Sequence, residues 1–179
     1  MRCGSIWERA AKMPMNLTVG LSVDEYLDRS FDPACELLGG ETRPKPLGTG
    51  QHSKMQRRLL RLLEEVFGEG MVEFELSMRI GDEVPIPDLV VFQNHAPRMY
   101  RDVLDEPPLL CIEVVSPSQL PAEMLAKCER YRVFGVPFCW VVDPVSRRAW
   151  EYHRNVQPRE VTEALTGPCV LPLSTIFAE

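Results

Sequence analysis

Apolar and polar positions along this chain fall into blocks that indicate their own elements. Met55, Leu59, Leu62, Leu63 and Val66 recur at helical spacing, which predicts a helix over about 51–67 with one buried stripe, ended by Gly68. Upstream, Ser22 and Glu25 form a capping box and predict a short helix over about 22–29. Residues 35–43 read as a hairpin turned at Gly39-Gly40, where the backbone needs positive φ. Residues 72–80 alternate and predict a strand. Residues 84–92 and 109–115 are nearly unbroken apolar runs, as expected of strands covered on both faces. Between them, 93–107 is polar and proline-bearing, a candidate functional loop. Pro121 suits the first turn of a helix that runs to about Phe134 and stops at Gly135-Val136-Pro137. Phe138 to Val142 is another buried strand, so 109–142 forms a strand–helix–strand unit with a parallel crossover. Residues 148–153 and 160–165 complete a C-terminal meander. The predicted fold is α/β: a central mixed β-sheet flanked by helices, in a single domain over 16–179. Residues 1–15 read as a disordered lead, with Met13 or Met15 as alternative starts.

Two acids interrupt this pattern. Glu113 stands in the run Leu109-Leu-Cys-Ile-Glu-Val-Val115, and Asp88 follows Val84-Pro-Ile-Pro87. A buried carboxylate is costly unless it is paired or bound to a metal. Period two puts Ile86, Asp88 and Val90 on one strand face, and Cys111, Glu113 and Val115 on one face of the other. If the strands pair so that the acids meet, both could ligate one divalent cation. Hard oxygen ligands with room for water suit Mg²⁺ or Mn²⁺.

The following helix carries Glu123, Lys127 and Tyr131 on one face. Lys127 is the natural third component, its ammonium orienting an attacking water or stabilising charge on a phosphate. The plainer alternative is an exposed Glu123–Lys127 pair. Glu41 and His52 are more distant candidates, and a histidine at a helix start also serves as a cap or a core contact. Lys54, Arg57, Arg58 and Arg61 make a basic stripe on the 51–67 helix, either a solvated face or a surface for phosphates.

Composition narrows the setting. A chain of 179 residues, 45% hydrophobic and 26% charged, fits one ordinary globular domain. It contains no apolar run of membrane-spanning length and no signal-peptide core, so no membrane partner is expected. A net charge of −6 argues against a protein that coats nucleic acid nonspecifically, and leaves room for a local basic patch. The six cysteines lack any Cys-x-x-Cys spacing, which disfavours a zinc ribbon. Cys111 and Cys139 lie in apolar runs, as small buried hydrophobes do. The expected setting is the reducing cytoplasm.

Several separated pieces now add up to a resemblance. They are Glu36-Leu-Leu-Gly-Gly-Glu41, His52 ahead of a leucine-rich helix, Pro87-Asp88-Leu-Val-Val and Glu113-Val-Val-Ser-Pro-Ser. Glu123-x-x-x-Lys127-x-x-x-Tyr131, Gly135-Val-Pro and Trp140-Val-Val-Asp143-Pro144 follow in order. Over roughly 21–150 the chain resembles a large bacterial restriction endonuclease family of the PD-(D/E)XK nuclease superfamily. That resemblance implies a restriction endonuclease-like sheet and Mg²⁺- or Mn²⁺-dependent hydrolysis of DNA phosphodiesters. Asp88 and Glu113 would be the metal ligands and Lys127 a catalytic residue. Glu41 would be an additional acid near the metal, and His52 would lie close to the site. The superfamily's lysine stands two residues after the second acid, where this chain has Val115. The family's lysine comes from the next helix, which points to Lys127. The chain also has Gly39 and Glu123 where the family usually has Asp. Cutting both strands of DNA would favour a two-fold homodimer. The competing expectations are a catalytically silent domain that binds nucleic acid or protein, and a purely structural Glu113–Lys127 ion pair.

Overall fold

The structure, a computed structural model, describes residues 20–46, 48–93, 99–100, 102–154 and 156–178. The expected lead, 1–15, lies outside them. The first helix, α1 (Val23–Leu27), opens with the capping box: the Ser22 hydroxyl accepts from the Glu25 amide and the Glu25 carboxylate accepts from the Ser22 amide. Strands β1 (Cys35–Leu38) and β2 (Glu41–Pro44) form the hairpin, and Gly39 and Gly40 take φ of 61° and 77° in its turn. Helix α2 (Gly50–Phe67) is capped by the Thr49 hydroxyl and ends at Gly68.

The central sheet then assembles from β3 (Val72–Phe74), β4 (Leu89–Val91), β7 (Leu110–Val114), β8 (Phe138–Asp143), β9 (Arg148–His153) and β10 (Arg159–Val161). Its spatial order is β10-β9-β8-β7-β4-β3. Only β7 and β8 run parallel, joined by α3 (Pro121–Phe134), whose Gly135 cap is left-handed at φ 114°. Two pairs of short strands and a last short helix complete the fold: the hairpin β5 (Met99–Tyr100) with β6 (Val103–Leu104), the pair β11 (Ala164–Leu165) with β12 (Leu171–Pro172), and α4 (Leu173–Ile176).

Both faces of the sheet are covered. On one, Leu89, Val91, Leu110, Ile112, Val114 and Trp140 pack with Met55, Leu59 and Leu63 of α2 and with Ile176. On the other, Val90, Cys111, Val115, Cys139 and Val141 pack with Met124, Cys128 and Tyr131 of α3. This explains the unbroken apolar runs of β4 and β7, since each residue faces one helix or the other. The cysteines among the described residues are free thiols.

Four expected elements differ in extent. The strand over 72–80 stops at Phe74, because Glu75 turns the backbone to φ 47°. Met78 and Ile80 return only as isolated bridges. The strand over 84–92 shrinks to Leu89–Val91, because Pro85 and Pro87 have no amide hydrogen to give a ladder. The 93–107 loop contains the β5–β6 hairpin. The expected strand over 160–165 splits between β10, which pairs with β9, and β11, which pairs with β12.

Candidate active site

Strands β4 and β7 pair antiparallel, with Leu89 opposite Ile112, Val90 opposite Cys111 and Val91 opposite Leu110. Extending that register by one residue sets Asp88 opposite Glu113. Opposed residues of an antiparallel pair share a face. Where the ladder ends, the Asp88 carboxylate takes over as acceptor: the Val114 amide donates to its Oδ2 at 2.7 Å. The proline-bearing segment ahead of β4 therefore stops the strand and turns an acid into its end. Asp88 and Glu113 are 3% and 2% exposed.

Around Glu113, one ammonium serves two acids. Lys127 Nζ lies 2.9 Å from Glu113 Oε1 and 2.9 Å from Glu36 Oε1. It also donates to the Ile86 carbonyl at 3.4 Å. The Tyr131 hydroxyl, one helical turn further on, donates to Glu113 Oε1. Glu36 is fixed in turn by the Ile86 amide at 2.7 Å. Burial pushes the Glu113 carboxyl up to about 7 despite Lys127, with Asp88 and Glu36 adding to the rise. Burial works against the Lys127 ammonium too, but Glu113 and Glu36 hold it above the ordinary lysine range. The two directions agree: Glu36 and Glu113 share the Lys127 ammonium, and burial makes Glu113 the acid that most readily takes a proton.

Around Asp88 the balance is reversed. His52 Nε2 lies 3.2 Å from Oδ2, Gln56 donates to Oδ1 at 3.3 Å, and Lys45 Nζ lies 3.1 Å from Oδ1. Burial alone would raise this carboxyl. The His52 hydrogen bond, the Lys45 charge and the Val114 amide outweigh it and hold Asp88 down at about 2. Helix α2 positions His52 through its own cap, since the Thr49 hydroxyl accepts from the His52 amide. Among the described residues, buried His52 Nδ1 has no hydrogen-bond partner.

The expected site residues divide cleanly. Asp88, Glu113, Lys127, Tyr131 and His52 come together. Glu41 does not join them: its side chain is 42% exposed and lies 3.6 Å from Arg43. Glu36, five positions earlier in the same motif, holds the inward place. Glu123 also stays outside, accepting from the Leu120 amide at the start of α3. The expected Glu123–Lys127 pair is replaced because Lys127 faces the sheet rather than solvent. Lys54, Arg57 and Arg61 are exposed. Arg58 leaves the stripe and donates to the carbonyls of Ile176 and Ala178.

The sequence reading missed Glu36, Lys45 and Gln56. Glu36 carried a signal, an acid inside the apolar run Cys35-Glu-Leu-Leu38, the same anomaly that marked Glu113. Lys45 and Gln56 carried none, because only the tertiary fold brings them to Asp88. Val115, at the strand position where a superfamily lysine would stand, is 4% exposed and packs in the apolar cluster beneath α3.

Among the described residues, no group of three or more His, Cys, Asp or Glu side chains is arranged to hold an ion. The buried carboxylates of Asp88 and Glu113, opposed across β4 and β7, are hard oxygen donors of the kind that suit a divalent cation.

The family model Uma2, described as "Putative restriction endonuclease", matches residues 23–178. The crystal structure of a "putative nuclease belonging to DUF820" from Anabaena variabilis is similar, with a TM-score of 0.79 and 22% identity. The match covers 88% of this chain and 98% of that one, which establishes a shared nuclease-like fold. No curated protein matches the chain. Among the described residues, no helix is long and apolar enough to cross a membrane. With nearly its whole described length matched, the chain belongs to the Uma2 family of restriction endonuclease-like proteins.

Proposed function

We propose that this protein is a divalent-metal-dependent DNA endonuclease that uses Asp88 and Glu113 as its metal ligands. One observation carries the reading: two buried acids stand opposite each other at the end of paired strands, and burial with the neighbouring Asp88 and Glu36 charges raises the Glu113 carboxyl despite Lys127. Mg²⁺ or Mn²⁺ held by these carboxylates would supply a Lewis acid at a phosphoryl oxygen. Lys127 fixes Glu113 and Glu36 in one geometry and keeps a positive charge beside the reacting phosphate. Tyr131 orients Glu113, and His52 with Gln56 orients Asp88. Exposed Lys54, Arg57 and Arg61 lie on the helix that carries His52 and Gln56, and offer contacts to the DNA backbone.

The test is cleavage of supercoiled, linear, branched and single-stranded DNA with Mg²⁺ or Mn²⁺, beside a Glu113→Ala control. Metal-dependent nicking that the control lacks is the expected result. Nicking that survives both Glu113→Ala and Asp88→Ala would overturn it. A second reading, a silent domain that binds DNA or protein, draws on one observation: each acid already has an ammonium of its own chain beside it. That reading predicts no Mn²⁺ binding and no rise in melting temperature with the ion.

A further inference from the structure

The Asp88 carboxylate has no acceptor position left. An ionised carboxylate offers about four lone-pair sites. Here Oδ2 takes the Val114 amide and His52, and Oδ1 takes Gln56 and Lys45. A cation ligated by Asp88 must therefore displace one of these donors. The Val114 amide is fixed in the sheet. His52 and Gln56 are held on α2, a helix of 18 residues packed against the core. Lys45 differs in each respect. It lies between β2 and α2, outside any regular element, and ends a flexible side chain. Its ammonium also has a second carboxylate, Glu75 Oε1, at 3.2 Å, and the Glu75 side chain is 55% exposed.

We infer that Lys45 is the resident counter-ion of the metal-free site and yields Asp88 to the incoming cation by withdrawing onto Glu75. Charge balance favours this exchange. Glu36, Asp88 and Glu113 face the ammonium groups of Lys45 and Lys127. Adding a divalent cation with both lysines in place makes the cluster net positive, whereas releasing Lys45 makes it neutral. Lys45 is thus a positioning residue that sets cation affinity from within the chain, and Glu75 is its alternative seat. The inference rests on the metal-dependent reading above.

The test titrates Mn²⁺ alone into the full chain by calorimetry, without DNA, at fixed pH and salt. Lys45→Gln should tighten Mn²⁺ binding by on the order of tenfold. Glu75→Gln should weaken it, because Lys45 then has no other carboxylate among the described residues to withdraw onto. In the Lys45→Gln background, Glu75→Gln should have no further effect, whereas simple charge removal would act equally in both backgrounds. Glu75 is exposed, so its single variant carries the test even if Lys45→Gln is unstable. Wild-type binding that Asp88→Asn abolishes but Lys45→Gln leaves unchanged overturns this inference alone. Absence of Mn²⁺ binding in every variant overturns the metal-dependent reading with it.

Discussion

Glu113 and Glu151 are both carboxylates buried in the central sheet, 2% and 1% exposed, and they live in opposite electrostatic worlds. Glu151 in β9 accepts from Arg159 at 2.8 and 2.6 Å, and from the Thr166 amide and hydroxyl at 2.7 and 2.8 Å. Burial opposes its charge, but these donors hold its carboxyl below the usual range. It fastens β9 to β10 and to the segment after β11. Glu113 receives one shared ammonium and one phenol, and burial carries it up to about 7. Burial of an acid does not by itself mark a site. Glu113 differs in sharing its one ammonium with Glu36 and in being raised rather than lowered, the kind of perturbation that functional sites concentrate.

The largest effect that separates the two acids is on catalysis. Asp88→Ala or Glu113→Ala should lower DNA cleavage by at least about 10³-fold, roughly 4 kcal/mol of barrier. Both variants should keep a folded circular dichroism spectrum, since Lys127 retains Glu36 and Lys45 retains Glu75. Glu151→Ala should do the reverse. Removing the acceptor of the Thr166 amide and hydroxyl, and of the largely exposed Arg159, should cost about 1–3 kcal/mol, read as an earlier urea midpoint. Turnover per folded molecule should hold. A folded but inactive Glu151→Ala protein would break the contrast.

The pH response should differ in sign. The folded Glu113 carboxyl is raised from 4.5 to about 7. Its contribution is fully present below about 4.5 and is lost as pH rises through about 7, to the extent of about 3 kcal/mol. Glu151 and Asp88 are lowered, so their contributions are present at neutral pH and lost on acidification; Asp88 loses its share as pH falls toward about 2. Unfolding free energy followed between about pH 5 and 8 should therefore fall in the wild type and stay flatter in Glu113→Gln. Saturating Mn²⁺ should restore the wild type at the alkaline end, because the ion binds the ionised carboxylate. Equal slopes in wild type and Glu113→Gln would place the titrating group elsewhere.

What could be read from the chain follows the same division. The sheet, both long helices and the glycine turns were legible because they depend on local periodicity and caps. Asp88 and Glu113 were legible because an acid in an apolar run is a local anomaly. The strands over 72–80 and 84–92 were read too long, since alternation does not reveal the reversed φ at Glu75 or the missing amides of Pro85 and Pro87. Glu41 entered as the acid that the family resemblance implies, although Glu36, an acid inside an apolar run, had the stronger local signal. Lys45 and Gln56 could not be read at all. Nothing local to either residue indicates that the fold brings it to Asp88.

The smallest effect carries the contrast from acids to bases. Arg58 resembles Glu151, its guanidinium committed to the Ile176 and Ala178 carbonyls at the C-terminal end. Lys54, Arg57 and Arg61 resemble Glu113 in being available, though in solvent rather than in the core. Arg58→Ala should cost about 1–2 kcal/mol of stability through lost charged hydrogen bonds, and leave the salt dependence of DNA binding unchanged. Lys54→Gln should barely move the melting temperature, and should reduce the slope of log K against log salt by about 0.9 if it meets one phosphate. Fluorescence anisotropy on a short duplex over a salt series reads both quantities. A slope that falls for Arg58→Ala but not for Lys54→Gln would move the DNA path off the exposed stripe and toward the C-terminal end of the fold. A slope unchanged by both substitutions would leave the basic stripe as a solvated helix face.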